Sequence, residues 1–101
     1  MKSLIWTPIA LKSLQETVDF LESQWYSTVV DEFIDSIEQK LILVQSNAAL
    51  GPKIGAGEIR RILLHPHISL FYQDEASHIK ILLVWDNRQN PDTLFEKLVS
   101  Q

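Results

Sequence analysis

Three short apolar runs in the second half of the chain constrain the fold more than any other feature. They cover residues 62–64, 68–72 and 79–85 and are rich in β-branched and aromatic side chains, which favour strands. The two links between them are too short for parallel neighbours, which need a crossover of about a dozen residues. The runs therefore predict a three-stranded antiparallel meander. Because the run at 79–85 is almost wholly apolar, we expect that strand in the middle of the sheet, covered on both faces.

Two amphipathic stretches precede the meander. Thr7-Pro8 is typical of a helix N-cap followed by the first helical residue, and Thr28 with Asp31 has the spacing of a capping box. After each start, apolar residues recur every three or four positions, which is the period of one helix face. Neither apolar face can remain in water, so the two helices should form a hairpin packed on the sheet. The two faces comprise Leu11, Leu14, Val18, Leu21 and Trp25, and then Val30, Phe33, Ile34, Ile37, Leu41 and Val44.

The remaining segments complete a single domain. Residues 2–6 alternate between polar and apolar types and predict a short strand at or near the sheet edge. Residues 92–99 predict a closing helix with Leu94, Phe95 and Leu98 turned inward. The predicted order over all 101 residues is β-α-α-β-β-β-α. This corresponds to an α+β fold in which a small antiparallel sheet packs against an α-helical hairpin.

The composition favours a folded protein from a reducing compartment. Apolar residues make up 46 % of the chain, whereas disordered chains are less hydrophobic. No cysteine is present, so disulfides and cysteine-based zinc sites are excluded. The first residues lack a signal-peptide pattern, and no apolar run approaches the roughly 18 residues of a membrane span. We therefore expect a soluble cytoplasmic protein with no membrane partner.

Charge is distributed unevenly along the chain, whose formal net charge is −4. Seven acids and no base lie between Lys12 and Lys40, whereas four bases and one acid lie from Lys40 to Tyr72. An ordinary solvated helix face opposite the sheet accounts for this pattern. The alternative is a basic patch on the sheet side that meets an acidic partner.

Residue patterns for metal, cofactor or nucleophilic chemistry are weak. The three histidines, His65, His67 and His78, lack the helical spacing of metal ligands, and a zinc site needs three or four ligands. No serine lies in a nucleophile elbow. The glycine-containing segment 47–57 lacks the Lys-Ser/Thr of a phosphate-binding loop, so it is a connector. We expect neither a metal site nor a cofactor.

Four cations and one tyrosine remain as candidates for function. They are Lys53, Arg60, Arg61, Tyr72 and Arg88. Arg60 and Arg61 must point to opposite faces of their strand, although the sequence leaves open which faces the uncovered side. A turn centred near Pro66 would place Arg60 beside Tyr72. Surface ion pairs around a half-buried tyrosine are the alternative without function.

The element order and the tracts IRRI, ISLFYQDE and ILLVWDNRQNP resemble the RelE/ParE family of toxins from bacterial type II toxin–antitoxin systems, including plasmid stabilisation proteins. The resemblance extends over nearly the whole chain. It implies a cognate antitoxin that wraps across the toxin and neutralises it. RelE-type members cut messenger RNA in the ribosomal A site, whereas ParE-type members inhibit DNA gyrase without hydrolysis.

The residues expected for a RelE-type nuclease match only in part. Arg60, Tyr72 and Arg88 stand where such enzymes carry two basic residues and a tyrosine. Ser69 replaces a family arginine, and the tyrosine or histidine near the C-terminus has no counterpart, because that region reads DTLF. RNA cleavage needs a proton acceptor, a proton donor and cations around the transition state. The resemblance therefore implies an incomplete nuclease site.

These observations predict a toxin that binds a cellular target protein, with DNA gyrase as one candidate, through Lys53, Arg60, Arg61 and Arg88. We expect Arg60 and Arg88 to lie near the 47–57 loop. The antitoxin should cover apolar surface on the helical hairpin or the sheet margin. One alternative is a ribosome-dependent endoribonuclease acting on messenger RNA through Arg60, Tyr72 and Arg88, with His65 or His67. Another is a binding module of the same fold without toxicity.

Overall fold

The computed structural model describes residues 1–55 and 58–101; residues 56 and 57, at the end of the predicted 47–57 loop, lie outside the described residues. The predicted element order is confirmed. None of the helices in the described ranges combines the length and hydrophobicity that a membrane span requires. The elements are β1 (Ser3–Trp6), α1 (Pro8–Gln24), α2 (Ser27–Ser46), β2 (Ile59–His65), β3 (Ile68–Asp74), β4 (His78–Asp86) and α3 (Pro91–Val99).

The four strands lie in the order β1-β4-β3-β2, with β4 inside the sheet as predicted. Strands β2, β3 and β4 form the predicted antiparallel meander. The sheet is mixed, however, because β1 pairs with β4 in parallel. A short turn sets the direction of each meander strand, whereas two helices and two strands separate β1 from β4 and leave its direction to tertiary packing. The α+β fold class is confirmed.

Both faces of the sheet are covered, which explains the apolar composition of β4. The helical hairpin buries one face, where residues such as Phe33 and Val44 of α2 pack against Leu70 and Ile81. On the other face, α3 contributes Leu98 to a smaller cluster that contains Phe71, Leu83 and Trp85. The chain therefore has two apolar layers, one on each side of the sheet.

The helix starts are only partly as predicted. Thr7 caps α1, because its Oγ1 accepts a hydrogen bond of 3.0 Å from the backbone N–H of Ala10. The predicted capping box at Thr28 is wrong, since α2 begins at Ser27 and Tyr26 occupies the N-cap position without a side-chain hydrogen bond. Thr28 therefore lies within the first turn.

Several apolar residues predicted to face inward are exposed. Leu11, Trp25, Ile34 and Phe95 are 54, 59, 39 and 67 % exposed, respectively. Trp25 lies at the C-cap of α1, where the chain leaves the helical path. Leu11, Ile34 and Phe95 lie beside the buried face of their helices. Each buried face is narrower than the apolar periodicity predicts, so only some of the periodic apolar residues reach the core.

The loop after α2 lies in close contact with the sheet at Gly51. A Cβ atom on this residue would lie 2.8 Å from each of the Arg61 carbonyl oxygen, Ile62 Cγ2 and the Tyr72 hydroxyl. Only glycine fits this approach without displacing the strand. Gly55 differs, because its φ of 59° needs left-handed backbone but a Cβ would meet nothing within 4 Å.

We expect Gly51→Ala to lower the free energy of unfolding by about 3 kcal/mol, the upper part of the usual cost of overpacking, because the Arg61 carbonyl oxygen belongs to the backbone and cannot rotate away. Gly55→Ala should cost about 1 kcal/mol, from backbone conformation alone. Urea unfolding of both variants measures the difference. A cost at Gly51 no greater than that at Gly55 would contradict the close contact.

Candidate functional site

The predicted cations lie at two opposite ends of β3. Arg60 stands opposite Tyr72 near the end of this strand, whereas Asp86, two residues before Arg88, stands opposite Ile68 at its start. The expectation that Arg60 and Arg88 both lie near the 47–57 loop is therefore wrong for Arg88. The cause is the antiparallel pairing, which places the end of β4 beside the start of β3.

The register also distinguishes the two adjacent arginines. Arg60 shares the hairpin side with Tyr72, and Arg61 shares the α3 side with its partner Phe71. Arg61 is exposed, while Arg60 is half-buried. Arg61 is therefore the arginine that faces the more open side of the sheet.

Lys53 and Arg60 make contacts that hold the loop. The Arg60 Nη1 donates a hydrogen bond of 2.7 Å to the Gly51 carbonyl. Lys53 forms a β-bridge with Arg60, and its Nζ lies 3.0 Å from a carboxylate oxygen of Glu58. Both cations thus make contacts within their own chain.

Tyr72 is fully buried, at 0 % exposure, whereas the alternative without function has this side chain half-buried. Its hydroxyl donates to the Ala48 carbonyl at 2.8 Å and accepts from the Gly51 N–H at 2.9 Å. Burial raises the pKa of this phenol, and the Gly51 N–H and the charge of Arg60 oppose the rise only in part. A neutral, enclosed hydroxyl with both hydrogen bonds formed anchors the loop to the sheet.

Arg61 is directed toward the opposite end of the sheet through a buried serine. Its Nε donates to Ser69 Oγ at 2.9 Å, and Ser69 Oγ donates to Asn87 Oδ1 at 3.0 Å. Ser69 is 0 % exposed. The serine that departs from the family arginine is therefore the link between Arg61 and the turn after β4. Sequence reasoning missed Asn87, whose polar side chain in a turn gave no signal of this contact.

Arg88 forms a two-pronged ion pair within that turn. Its Nε lies 3.0 Å from Asp86 Oδ1 and its Nη2 lies 2.6 Å from Asp86 Oδ2. Hydrogen bonds from Arg88 lower the pKa of Asp86, so the carboxylate stays ionised. The Arg88 side chain is 57 % exposed. The pair borders a cleft of about 500 Å³ between α1, β4 and α3, which Trp85 and Lys97 also line.

His65 and His67, at the turn between β2 and β3, lie at the same end of the sheet as Arg88. The ring centroids of His65 and His67 are 6.3 Å apart. The His67 carbonyl accepts a hydrogen bond of 2.7 Å from the Asn87 N–H. Across residues 1–55 and 58–101, no group of three or more His, Asp or Glu side chains is arranged to hold a metal ion.

The exposed groups at this end form one surface, which we call the turn-end surface and define as Arg61, His67, Asn87 and Arg88. It combines two guanidinium groups, an imidazole and an amide, a set suited to carboxylates or phosphates of a partner. Of the residues expected for a nuclease, the structure brings Arg88 and His67 to this end. It leaves Arg60 and Tyr72 at the other.

We expect Tyr72→Phe to lower the free energy of unfolding by about 1–3 kcal/mol, because the Gly51 N–H and the Ala48 carbonyl each lose a buried partner. Tyr26→Phe, at a residue that is 84 % exposed, is the matched control and should have little effect. Urea unfolding at neutral pH measures both.

The pH dependence of stability provides a second expectation for Tyr72. Since its pKa is raised in the folded state, its contribution is complete below the unfolded value of about 10 and is lost as pH rises through the folded value. Wild type should lose stability above about pH 10 more steeply than Tyr72→Phe. Equal slopes in alkaline unfolding series would contradict the buried phenol.

Comparisons with known proteins find relatives of this fold. A sequence profile described as ParE toxin of type II toxin–antitoxin system, parDE, matches residues 4–91. The chromosomal ParDE TA system from P. aeruginosa contains a chain with 21 % identity and a TM-score of 0.69, and the alignment covers 85 % of this chain and 96 % of that one. The YoeB dimer from Staphylococcus aureus gives 17 % identity, a TM-score of 0.56, and coverage of 79 % and 90 %. No curated protein matches the chain significantly.

At identities this low, the two structures show a shared fold. The family profile is stronger evidence, because it extends from β1 to the first residue of α3 and includes every strand of the sheet. The chain therefore belongs to the ParE toxin family of type II toxin–antitoxin systems.

Proposed function

We propose that this toxin inhibits growth by binding a cellular protein and that it does not cleave RNA. The observation that carries the proposal is the enclosed hydroxyl of Tyr72, whose two hydrogen bonds leave it no role as a proton carrier. Arg60 is bonded to Gly51, and Arg88 lies at the other end of β3. General acid–base catalysis contributes a factor of about 10² to 10⁴ in rate and needs its proton-transfer groups in one site. The candidate groups of this chain lie at opposite ends of β3.

The turn-end surface is the proposed contact with the target. Arg61 and Arg88 are exposed there, and arginine is enriched at binding hot spots. The fork of Arg88 already holds Asp86, so a carboxylate of the target at Arg88 has to compete with that ion pair. Lys53 and Arg60, which the sequence also suggests for target binding, contact the loop, so we do not assign them to this surface. DNA gyrase, in the cytoplasm, is the candidate target that the family resemblance implies.

A cognate antitoxin is the second proposed partner. The similar structure from P. aeruginosa is described as a ParDE TA system. A toxin that acts through a binding surface can be neutralised by a partner protein that covers this surface. Large apolar side chains that remain exposed, such as Leu43, Leu50 and Leu63, give such a partner surface to cover.

We expect the double variant Arg61→Ala, Arg88→Ala to relieve growth inhibition when the toxin is expressed alone. Its thermal midpoint should change by only a few degrees, because both side chains are largely exposed. Lys12→Ala with Lys53→Ala removes the same charge elsewhere and should remain toxic. Growth curves of cells expressing each variant provide the measurement. Full toxicity of the arginine variant would show that the turn-end surface is not the target contact.

In a translation extract programmed with a defined messenger RNA, we expect no cleavage in the ribosomal A site, because the proton-transfer groups are not assembled. Primer extension on the RNA detects cleavage directly, and a supercoiling assay with purified DNA gyrase tests the candidate target in parallel. Mapped A-site cleavage that Arg60→Ala abolishes would overturn the proposal in favour of an endoribonuclease. If the chain cleaves no RNA, leaves supercoiling by gyrase unchanged and does not slow growth, it is a binding module without toxicity.

A further inference from the structure

The cleft between α1, β4 and α3 continues into a second cavity. The cleft has a volume of about 500 Å³, within the range of ligand-binding clefts, and the second cavity, between α1 and α3, has about 240 Å³. Ser13, Glu16 and Lys97 line both, so the two form one groove, which we call the β4 groove. Phe20, which is 47 % exposed, and the buried Trp85 give the larger cavity apolar surface.

The backbone of β4 is open along this groove. The pairing with β1 ends where Trp6 lies opposite Ile81, and in the described part of the chain no strand lies beside β4 on this side after that point. The Val84 N–H donates to the Ser13 hydroxyl at 2.9 Å, so the backbone groups of Val84 point away from β3. Every second residue of a strand has the same direction, hence the Val84 carbonyl and the Asp86 N–H both face the groove.

These two backbone groups define the direction of a partner strand. In a parallel pair, one residue donates to the residue before its partner and accepts from the residue after it. The Val84 carbonyl and the Asp86 N–H are placed for one such residue opposite Trp85. An antiparallel residue would need both groups of Val84 or both of Asp86, but the Val84 N–H is bonded to Ser13 and the Asp86 carbonyl accepts from the Gln89 N–H. The groove therefore favours an extended segment that runs parallel to β4, as β1 does.

The charges of the groove indicate the chemistry of that segment. Asp86 and Arg88 neutralise each other, which leaves Lys12, Lys97 and Glu16. None of these three forms an ion pair among the residues that the structure describes. Two cations thus face one acid in a chain whose net charge is −4, and a carboxylate beside an apolar side chain complements this pattern. A second copy fits less well, because pairing of this edge with itself about a two-fold axis normal to the sheet is antiparallel.

We propose that the β4 groove binds an extended segment of the cellular target protein, with one residue paired between the Val84 carbonyl and the Asp86 N–H. An apolar side chain of the segment lies against Phe20, and a carboxylate lies near Lys97. Main-chain hydrogen bonds supply affinity in strand addition, and side-chain pockets supply specificity. This inference rests on the proposed function, and it extends the target contact from the turn-end surface, because Arg88 borders the groove.

Growth inhibition by the toxin expressed alone tests the groove before the target is known. Thr17→Trp fills the larger cavity, which Thr17 lines, whereas Gln15→Trp adds the same side chain at an exposed position of α1. We expect Thr17→Trp to raise the toxin level needed for half-maximal inhibition by at least about tenfold, and Gln15→Trp by less than about twofold. Lys97→Glu should likewise exceed Lys40→Glu, a change at another half-buried lysine that lies outside the groove.

Photocrosslinking and hydrogen exchange identify the occupant without a variant that might fail to fold. The probe is the toxin with benzoylphenylalanine in place of Phe20, irradiated in growing cells. We expect it to attach to one protein segment that contains an apolar residue and an acid. A synthetic peptide of that segment should slow exchange at the Asp86 amide of wild-type toxin by about tenfold or more, because pairing gives this N–H a partner. Replacing the acid of the peptide by its amide should weaken binding to wild type more than to Lys97→Gln.

The outcomes separate the inference from the proposed function. Equal toxicity of the matched variants would overturn the groove and leave the turn-end surface in place as the target contact. A wild-type toxin that does not inhibit growth would overturn the proposed function and the inference with it. Attachment of the probe to a second copy of the toxin, to RNA or to nothing would overturn the inference, as would a peptide that leaves exchange at Asp86 unchanged.

Discussion

The pair of hydrogen bonds at the Tyr72 hydroxyl is the interaction on which the β2 edge of the sheet depends. It fixes the loop after α2 to the sheet at Ala48 and Gly51, and the missing side chain of Gly51 lets the loop approach the backbone of β2. With the loop held there, Arg60 donates a hydrogen bond to the Gly51 carbonyl, and residues 52–54 pair with the start of β2. Tyr72 therefore anchors the loop to the sheet.

Two arginines adjacent in sequence have different roles because a strand alternates its side chains. Arg60 lies on the hairpin side and stabilises the loop, and Arg61 lies on the α3 side and is held by Ser69 toward Asn87. The serine does not simply replace a lost cation. Ser69 is buried, and its hydrogen bond holds the exposed Arg61 guanidinium in one direction. Such a restraint would reduce the entropy that Arg61 loses if it binds a partner.

The sequence was sufficient for the elements, the meander and the opposition of Arg60 and Tyr72, because these follow from local periodicity and short turns. It was insufficient for the parallel pairing of β1 and for the separation of Arg60 from Arg88, since both depend on how distant segments meet. The full burial of Tyr72 did not follow from the sequence, because its partners are backbone groups of a loop, which composition does not reveal. Asn87 carried no motif. Exposure of Trp25 and Phe95 likewise depends on where a helix ends and how wide a face it buries.

The parallel pairing of β1 with β4 has a consequence for synthesis. Ser3 of β1 finds its partner at His78 of β4, roughly 75 residues later in the chain. Such distant pairing is slow to form, and here it has to wait for most of the chain to leave the ribosome. The sheet that supports every functional residue is therefore incomplete while the chain is being translated. A binding partner that is present during synthesis can therefore meet the chain before β1 and β4 pair and the sheet is complete.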